Sequence, residues 1–157
     1  MASESQASQT QTPPPSNLPA VRKTPDELAA AKQTHSPGSS YVEGAEEVTI
    51  LGDPAKPGMY VQLLKCAPHS QIGPHHHAGD RVAVCLSGSW KFGFGEKFDE
   101  AELRELPVGS IYTEPDRQPH FAKVGDRQAI VAITGYGPTD TVFVNPDDDP
   151  AKKKKKP

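Results

Sequence analysis

The sequence has few cysteines and no long apolar run, and each of these shortages excludes a class of protein. Its two cysteines, Cys66 and Cys85, are too few for the disulfide framework of a small secreted domain. No stretch of about eighteen apolar residues is present, and the amino terminus has neither a basic nor an apolar signal region. We therefore expect a cytoplasmic protein with reduced thiols and no membrane partner.

Basic residues are also scarce in the body of the chain. Residues 37–150 contain 17 acidic and 9 basic residues, which gives this region a net charge of −8. A nucleic-acid-binding surface needs lysine and arginine for its phosphate contacts, so we expect no nucleic-acid partner. The five lysines of the terminal sequence AKKKKKP could contact an acidic partner, but a solvated tail without a function is the simpler interpretation.

The amino-terminal region is predicted to contain a disordered tail and one short helix. Ser, Gln, Thr and Pro dominate residues 1 to about 20, and a segment with so little apolar surface to bury is expected to stay disordered. A helix near residues 24–33 is predicted next. Thr24 and Glu27 can form a capping box there, and Pro25 suits the first helical position.

From residue 48 the apolar pattern changes to the period of two that is typical of β-strands. Gly and Pro account for 30 of the 157 residues and separate short β-rich runs, which predicts one small barrel or sandwich domain. The runs are VTIL (48–51), MYVQLLKCA (59–67), RVAVCLSGSWKFGFG (81–95), GSIYTE (109–114), QAIVAITGYG (128–137) and TVFVNP (141–146). The predicted segments are a tail with the short helix (1–36), the barrel (37–148) and a Lys-rich C-terminal tail (149–157).

Three consecutive histidines stand in the segment GPHHHAGDRVAVCLSG, residues 73–88. If this segment is extended, His75 and His77 lie on one face and His76 lies on the other. Two imidazoles with this spacing can bind one metal ion, and His120 is the best-placed third ligand. A metal-free pocket built from the same three histidines is the alternative.

Two segments of the chain resemble the two sequence motifs of the cupin superfamily of β-barrels. The first motif combines a Gly, a His-x-His pair, a Glu and a second Gly, and the second motif combines a Gly, Pro-x-Gly, a His and an Asn. The matching residues are His75, His77 and Gly88 in the first motif, and Gly109, Pro115 and His120 in the second. The departures are His69 and Arg81, in place of the leading Gly and the Glu, and Arg117 and Val124, in place of the Gly and the Asn.

The resemblance covers roughly residues 45–145 and implies both a fold and a metal site. The implied fold is all-β, a double-stranded β-helix or jelly-roll barrel. In the family the motif histidines bind a divalent metal ion at the barrel mouth, which implies that His75, His77 and His120 are its ligands in this chain.

Arg81 takes the position of the family's metal-binding glutamate and has the same strand parity as His77. A guanidinium about 5 Å from a divalent ion would be repelled by about 6 kcal/mol at an effective dielectric constant of about 20. Three arrangements avoid this repulsion: Arg81 pairs with a carboxylate, a substrate anion bridges the metal and the guanidinium, or no metal binds. The candidate carboxylates are Asp80, Glu114 and Asp116. We favour a combination of the first two, in which Arg81 orients a substrate carboxylate or enolate.

Three other residues could line the site. Tyr112 and Glu114 share a face of one strand, and if that face is inward, Glu114 could be a general base or the missing anionic ligand. Gln62 could reach a metal-bound water, or it could be a buried amide satisfied by neighbouring backbone. We predict catalytic roles for Arg81, Glu114 and Tyr112.

These residues predict a metal-dependent enzyme that acts on a small anionic or enolisable substrate. The metal ion is Fe, Zn, Mn or Ni; Fe(II) would suit the oxygen-dependent cleavage of a dioxygenase, and the others would suit isomerase or lyase chemistry. Two alternatives stay open: a non-catalytic metal- or metabolite-binding protein, and a degenerate barrel that has lost its metal. We also expect a homodimer that forms through exposed sheet edges.

Overall fold

The computed structural model describes residues 18–153, and ten strands in this range form two five-stranded antiparallel sheets. The strands are β1 (Ala45–Leu51), β2 (Gly58–Cys66), β3 (Gln71–His76), β4 (Arg81–Ser87), β5 (Trp90–Phe94), β6 (Arg104–Leu106), β7 (Ile111–Glu114), β8 (His120–Val124), β9 (Ala129–Gly137) and β10 (Val142–Phe143). One sheet has the order β1-β2-β9-β4-β7 and the other has the order β10-β3-β8-β5-β6. The predicted all-β jelly-roll barrel is confirmed. The predicted disorder of the amino terminus falls largely on residues 1–17, outside the described range, as do the last four residues of the Lys-rich tail.

The core lies between the inward faces of the two sheets. On β9 every second residue from Ala129 to Ile133 is completely buried, which is the alternation that predicted this strand. Trp90 and Phe92 fill the core from the opposite sheet. Because both faces contribute apolar side chains, one continuous core holds the sheets together.

Strands β3, β6 and β8 lie outside the six predicted runs, although the histidines of β3 were expected to be extended. Strand β6 has only three residues, and Arg104 and Glu105 are exposed, so it carries no apolar period. Strand β8 is buried on almost every residue and therefore lacks the alternation that identifies a half-exposed strand. Both strands are identified by their pairing with adjacent strands, because neither has a sequence pattern that predicts a strand.

The amino-terminal helix α1 (Pro25–Ala30) lies on the outside of the barrel. Thr24 and Glu27 form the predicted capping box, while the helix ends three residues before the predicted boundary. The buried side chain of Lys65 donates two hydrogen bonds of 2.7 Å to carbonyl oxygens at the end of this helix, which fastens it to β2. Among the described residues, no helix is long and apolar enough to span a membrane.

Residues 34–40, which we call the strap, lead from this helix to the end of the barrel where β4 begins. The N–H of Thr34 donates to the carbonyl oxygen of Glu47 at 2.9 Å, so the strap starts along the edge of β1. Gly38, Ser39 and Ser40 are buried, and Gly38 lies beside Arg81. The boundary predicted between residues 36 and 37 therefore falls within the strap, which contacts the barrel before the boundary, at Thr34, and after it, at Gly38. At the other end of the described range, Pro150–Lys153 form a short helix α2.

Candidate metal centre

Two neighbouring strands bring the three motif histidines together. His75 on β3 and His120 on β8 are direct partners in the antiparallel ladder, so their side chains lie next to each other on one face. His77 follows the last residue of β3 and shares the parity of His75. The exposed fractions of His75, His77 and His120 are 5%, 2% and 2%. The predicted convergence of these residues inside the barrel is observed.

The ligand nitrogens of the three imidazoles all lie within 4.8 Å of one another. The other nitrogen of each ring, Nδ1, lies 2.7–3.0 Å from a backbone carbonyl oxygen. These carbonyls belong to Gly73 for His75, Asp140 for His77 and Gln118 for His120. A carbonyl oxygen can only accept, so each Nδ1 carries the proton and each Nε2 keeps a free lone pair.

This arrangement fits a metal ion. The Nε2 atoms of His77 and His120 are completely buried and have no hydrogen-bond partner within residues 18–153. Buried polar atoms normally have a hydrogen-bond partner. Two unpartnered lone pairs so close together are therefore suited to bind a metal cation. Histidines that ligate metals commonly donate their second ring N–H to a carbonyl or carboxylate, which fixes the tautomer as it is fixed here.

The imidazoles are neutral at physiological pH. Burial, together with the charge that His120 would carry, lowers the pKa of His75 to about 3. Burial also lowers the pKa of His77 well below its usual value, and the pKa of His120 is lowered for the same reason. A neutral imidazole is the form that binds a metal ion, so no proton has to be displaced.

Arg81 points into the barrel, where it pairs with Glu114. The two residues are direct partners on β4 and β7, and both are buried. Oε2 of Glu114 accepts a hydrogen bond of 2.6 Å from Nε of Arg81 and forms an ion pair with Nη2, which lies 2.6 Å away. Of the three arrangements that avoid repulsion between a metal ion and Arg81, pairing with a carboxylate is therefore present, and the carboxylate is Glu114.

Glu114 also brings negative charge to the histidines. Its Oε2 lies 3.7 Å from Nε2 of His77 and 3.7 Å from Nε2 of His120. Burial would raise the pKa of this carboxyl, but the positive charge of Arg81, the charges that His120 and His77 would carry and the hydrogen bond from Arg81 together outweigh burial and hold the pKa far below its usual range. An anionic group therefore lies beside the histidines, and it comes from β7, the neighbour of β4 in the sheet.

Tyr112 is the third predicted catalytic residue, and it lies on the same inward face as Glu114. Its ring packs against Phe92, with ring centroids 4.2 Å apart, and it belongs to the core cluster. Its hydroxyl is buried and finds no partner among the described residues. Burial and the charge of Glu114 raise the pKa of Tyr112 well above 10, so the phenol keeps its proton.

Two buried polar residues on this face escaped the sequence prediction. Glu47 on β1 and Tyr60 on β2 are both inside the barrel. Burial raises the pKa of Glu47 to about 7, and the charge of Arg81 limits the rise. Tyr60 shares the strand face of Gln62, which is a signal that could have identified it; Glu47 has no such signal, because the parity of β1 does not say which face is inward.

The remaining candidates have ordinary surroundings. Nε2 of Gln62 donates to Oγ of Ser36 at 3.0 Å and to the carbonyl oxygen of Pro37 at 3.2 Å, so its amide donor is satisfied, while its Oε1 has no partner among the described residues. His76 is half-buried on the opposite face, 3.5 Å from Arg117. Cys85 is a buried core residue, as expected.

Comparison with known proteins identifies similar folds but no similar sequences. No protein-family model matches the chain, and no curated protein matches it. Among solved structures, the polyketide cyclase RemF from Streptomyces resistomycificus superposes with a TM-score of 0.60 at 17% identity, covering 88% of this chain and 94% of that one. The DMSP lyase DddQ from Ruegeria pomeroyi DSS-3 superposes with a TM-score of 0.59 at 17% identity, covering 73% of this chain and 61% of that one.

A salicylate 1,2-dioxygenase from Pseudaminobacter salicylatoxidans is a third similar structure. Its TM-score is 0.54 at 12% identity, and the match covers 67% of this chain and 32% of the dioxygenase. This chain therefore spans about a third of the dioxygenase. At these identities the three likenesses establish a shared fold, while the chemistry has to be argued from the residues of this chain.

Proposed function

Because the chain has the cupin fold, we propose that it is a metal-dependent enzyme that acts on small anionic or enolisable molecules. The ligands of the divalent ion would be His75, His77 and His120. The observation that carries this proposal is the shared tautomer of the three buried imidazoles, each of which has its Nδ1 proton on a carbonyl and its Nε2 lone pair free. When bound, such an ion acts as a Lewis acid that polarises a substrate oxygen.

The charge of the site supports an anionic substrate. The three imidazoles are neutral, and the charges of Arg81 and Glu114 cancel because the two groups form a buried pair. A divalent ion would therefore leave a net positive charge in this buried place even when Glu47 is ionised, and an uncompensated buried charge is unfavourable. A carboxylate or enolate bound to the ion offsets this charge, and three protein ligands leave positions free for it.

Glu114 suits the role of an anionic neighbour better than the role of a general base. A general base works best when its pKa lies near the working pH, and the pKa of Glu114 is held far below that by Arg81. We therefore assign Glu114 to charge compensation at the ion and to the fixing of the Arg81 guanidinium. Tyr112 keeps its proton and lies two residues before Glu114 on the inward face of β7. We propose that its hydroxyl donates a hydrogen bond to the substrate.

Metal content and turnover test the proposed function together. Metal-free protein is reconstituted separately with Fe(II), Zn(II), Mn(II) and Ni(II), and bound metal is measured by elemental analysis. We expect one ion per chain for at least one metal. Oxygen uptake and exchange of carbon-bound hydrogen are then followed with small keto acids and hydroxybenzoates, including gentisate, which the dioxygenase binds.

The outcomes separate the three classes of function. Turnover that requires the bound metal supports the enzyme. One ion per chain without turnover of any compound would support a non-catalytic metal- or metabolite-binding protein. Failure of all four metals to bind would support the degenerate barrel and would contradict the role given to the histidines.

A homodimer and a cytoplasmic location stay predictions, and the outer face of β4 and β7 supports the dimer. Val82, Leu86 and Ile111 project from it, and Ile111 on the edge strand β7 is 68% exposed. An apolar face next to an open sheet edge suits a second copy of the chain.

We expect light scattering to show a dimer for wild type and a monomer for Ile111→Glu. The control variant Val21→Glu, which changes an exposed valine elsewhere, should remain dimeric. A monomeric wild type would disprove this prediction.

A further inference from the structure

The strap packs over the arginine of the site and places two main-chain oxygens on buried side-chain donors. The carbonyl oxygen of Gly38 accepts a hydrogen bond from Nη1 of Arg81 at 3.2 Å. One residue earlier, the carbonyl oxygen of Pro37 accepts from Nε2 of Gln62 at 3.2 Å. Donors that face the barrel interior are thus occupied by acceptors from the chain itself.

Position 38 strongly favours glycine. Its φ is +86°, in the left-handed region that side chains disfavour. A Cβ there would lie 3.0 Å from Nη1 of Arg81, 3.0 Å from Cγ2 of Thr139 and 3.2 Å from Oε1 of Gln62. The strap reaches the guanidinium because this residue has no side chain.

The closed strap leaves several buried polar atoms unsatisfied. Within residues 18–153, Oγ of Ser39, Oε2 of Glu47, the hydroxyl of Tyr60 and Oε1 of Gln62 have no hydrogen-bond partner. Tyr60 and Arg81 are both ladder partners of Gly135, so they stand on either side of a residue without a side chain. A buried polar group without a partner is destabilising. The hydroxyls of Ser39 and Tyr60 are donors, so a ligand that offers them an acceptor can compete with the strap.

The strap also has room to move. A pocket of about 240 Å³ lies between residues 37–41 and the C-terminal part of the chain. Phe143 lines this pocket and also packs on His75, with ring centroids 5.5 Å apart. Displacement of the strap into this space would open the barrel next to the histidines.

From these contacts we propose that the strap is a movable cover over a carboxylate-binding subsite formed by Arg81, Gln62 and Tyr60. A small carboxylate replaces the carbonyl oxygens of Pro37 and Gly38 as the acceptor for Arg81 Nη1 and Gln62 Nε2, while Nε and Nη2 of Arg81 keep their contacts with Glu114. The hydroxyl of Tyr60 supplies a further donor. That the carboxylate belongs to a substrate rests on the proposed function; the existence of the subsite does not.

Acetate and its neutral analogue acetamide test the subsite. Each is titrated into metal-free and zinc-treated wild-type protein, with binding followed by NMR and strap mobility followed by hydrogen exchange of the amides of residues 34–40. We expect acetate to bind and to increase exchange in the strap, while the amides of β9 stay protected. Acetamide should bind more weakly, because it lacks the charge that Arg81 selects.

A strap variant gives the proposal a second measurement. Gly38→Ala disfavours the closed strap, so acetate should bind roughly tenfold more tightly than to wild type, the factor expected from left-handed strain at one residue. Gly109→Ala is the matched control, since Gly109 has a φ of +88° and open space around its Cβ position. It carries the same backbone strain away from the strap and should leave acetate affinity unchanged.

The results distinguish this proposal from the proposed function. Zinc content is measured in the same samples. If the protein takes up no zinc but binds acetate and its strap becomes mobile, the subsite is supported and the proposed metal enzyme is contradicted. If the protein takes up zinc but binds no acetate, or binds acetate while the strap amides stay protected from exchange, the proposed subsite is contradicted. Equal binding of acetamide and acetate would overturn the assignment to carboxylates.

Discussion

Replacement of His120 by alanine is expected to lower the affinity for a divalent ion by more than about 100-fold, because changes in groups that merely orient a ligand already cost 10- to 100-fold. His75→Ala and His77→Ala should have comparable effects, since each removes one of three ligands and no fourth imidazole of residues 18–153 belongs to the cluster. The measurement is competition with a chelator of known affinity, followed by elemental analysis of the protein.

The control for this series is His76→Ala. His76 is the neighbour of two proposed ligands in the sequence but projects from the opposite face of β3 and is half-buried. Its replacement should leave metal affinity within about threefold of wild type, as expected for a surface substitution. Circular dichroism establishes that each variant is folded. If the His76 and His120 variants lost metal equally, the site would not be where we place it.

The second large effect is expected for stability. Removal of one partner of the Arg81–Glu114 pair, as in Arg81→Met, should lower the free energy of unfolding by about 3–5 kcal/mol at pH 7, because the remaining charge is buried without compensation. The double variant Arg81→Met/Glu114→Gln should be less destabilised than the sum of the two single variants. Urea unfolding of the metal-free proteins measures all four members of this cycle.

The pH dependence of this effect has a definite sign. The pKa of Glu114 in the folded protein lies below its ordinary value of 4.5, so the unfolded chain binds the proton more readily. The contribution of the pair is therefore complete above about pH 4.5 and is lost as the pH falls below that value. The difference in stability between wild type and Arg81→Met should shrink from pH 7 to pH 3. A difference that stayed constant, or additive single variants, would show that the pair is not coupled in the folded protein.

Several parts of the site could be predicted from local patterns. The period of two along a strand placed His75 and His77 on one face, and the same period paired Tyr112 with Glu114. The capping box predicted the start of α1. These predictions succeeded because each depends on backbone geometry within a few residues.

Other features depend on residues that are distant in the sequence. Arg81 and Glu114 are 33 residues apart, and their partnership follows from the register of β4 and β7. The pairing register of two strands is set by which face of each packs into the core, so it cannot be predicted from a short segment of sequence. Glu47 was missed for this reason, and so was the contact of the strap with Arg81.

The sequence by itself determined that the chain is a β-barrel protein with histidines that can share a metal ion, because alternation and turn residues act locally. Only the tertiary structure showed which carboxylate pairs with Arg81, and that the strap, which the sequence assigned partly to a tail, contacts this arginine. These outcomes arise from pairing across sheets and from the burial of charge. Both depend on the whole fold and on the low dielectric constant of its interior.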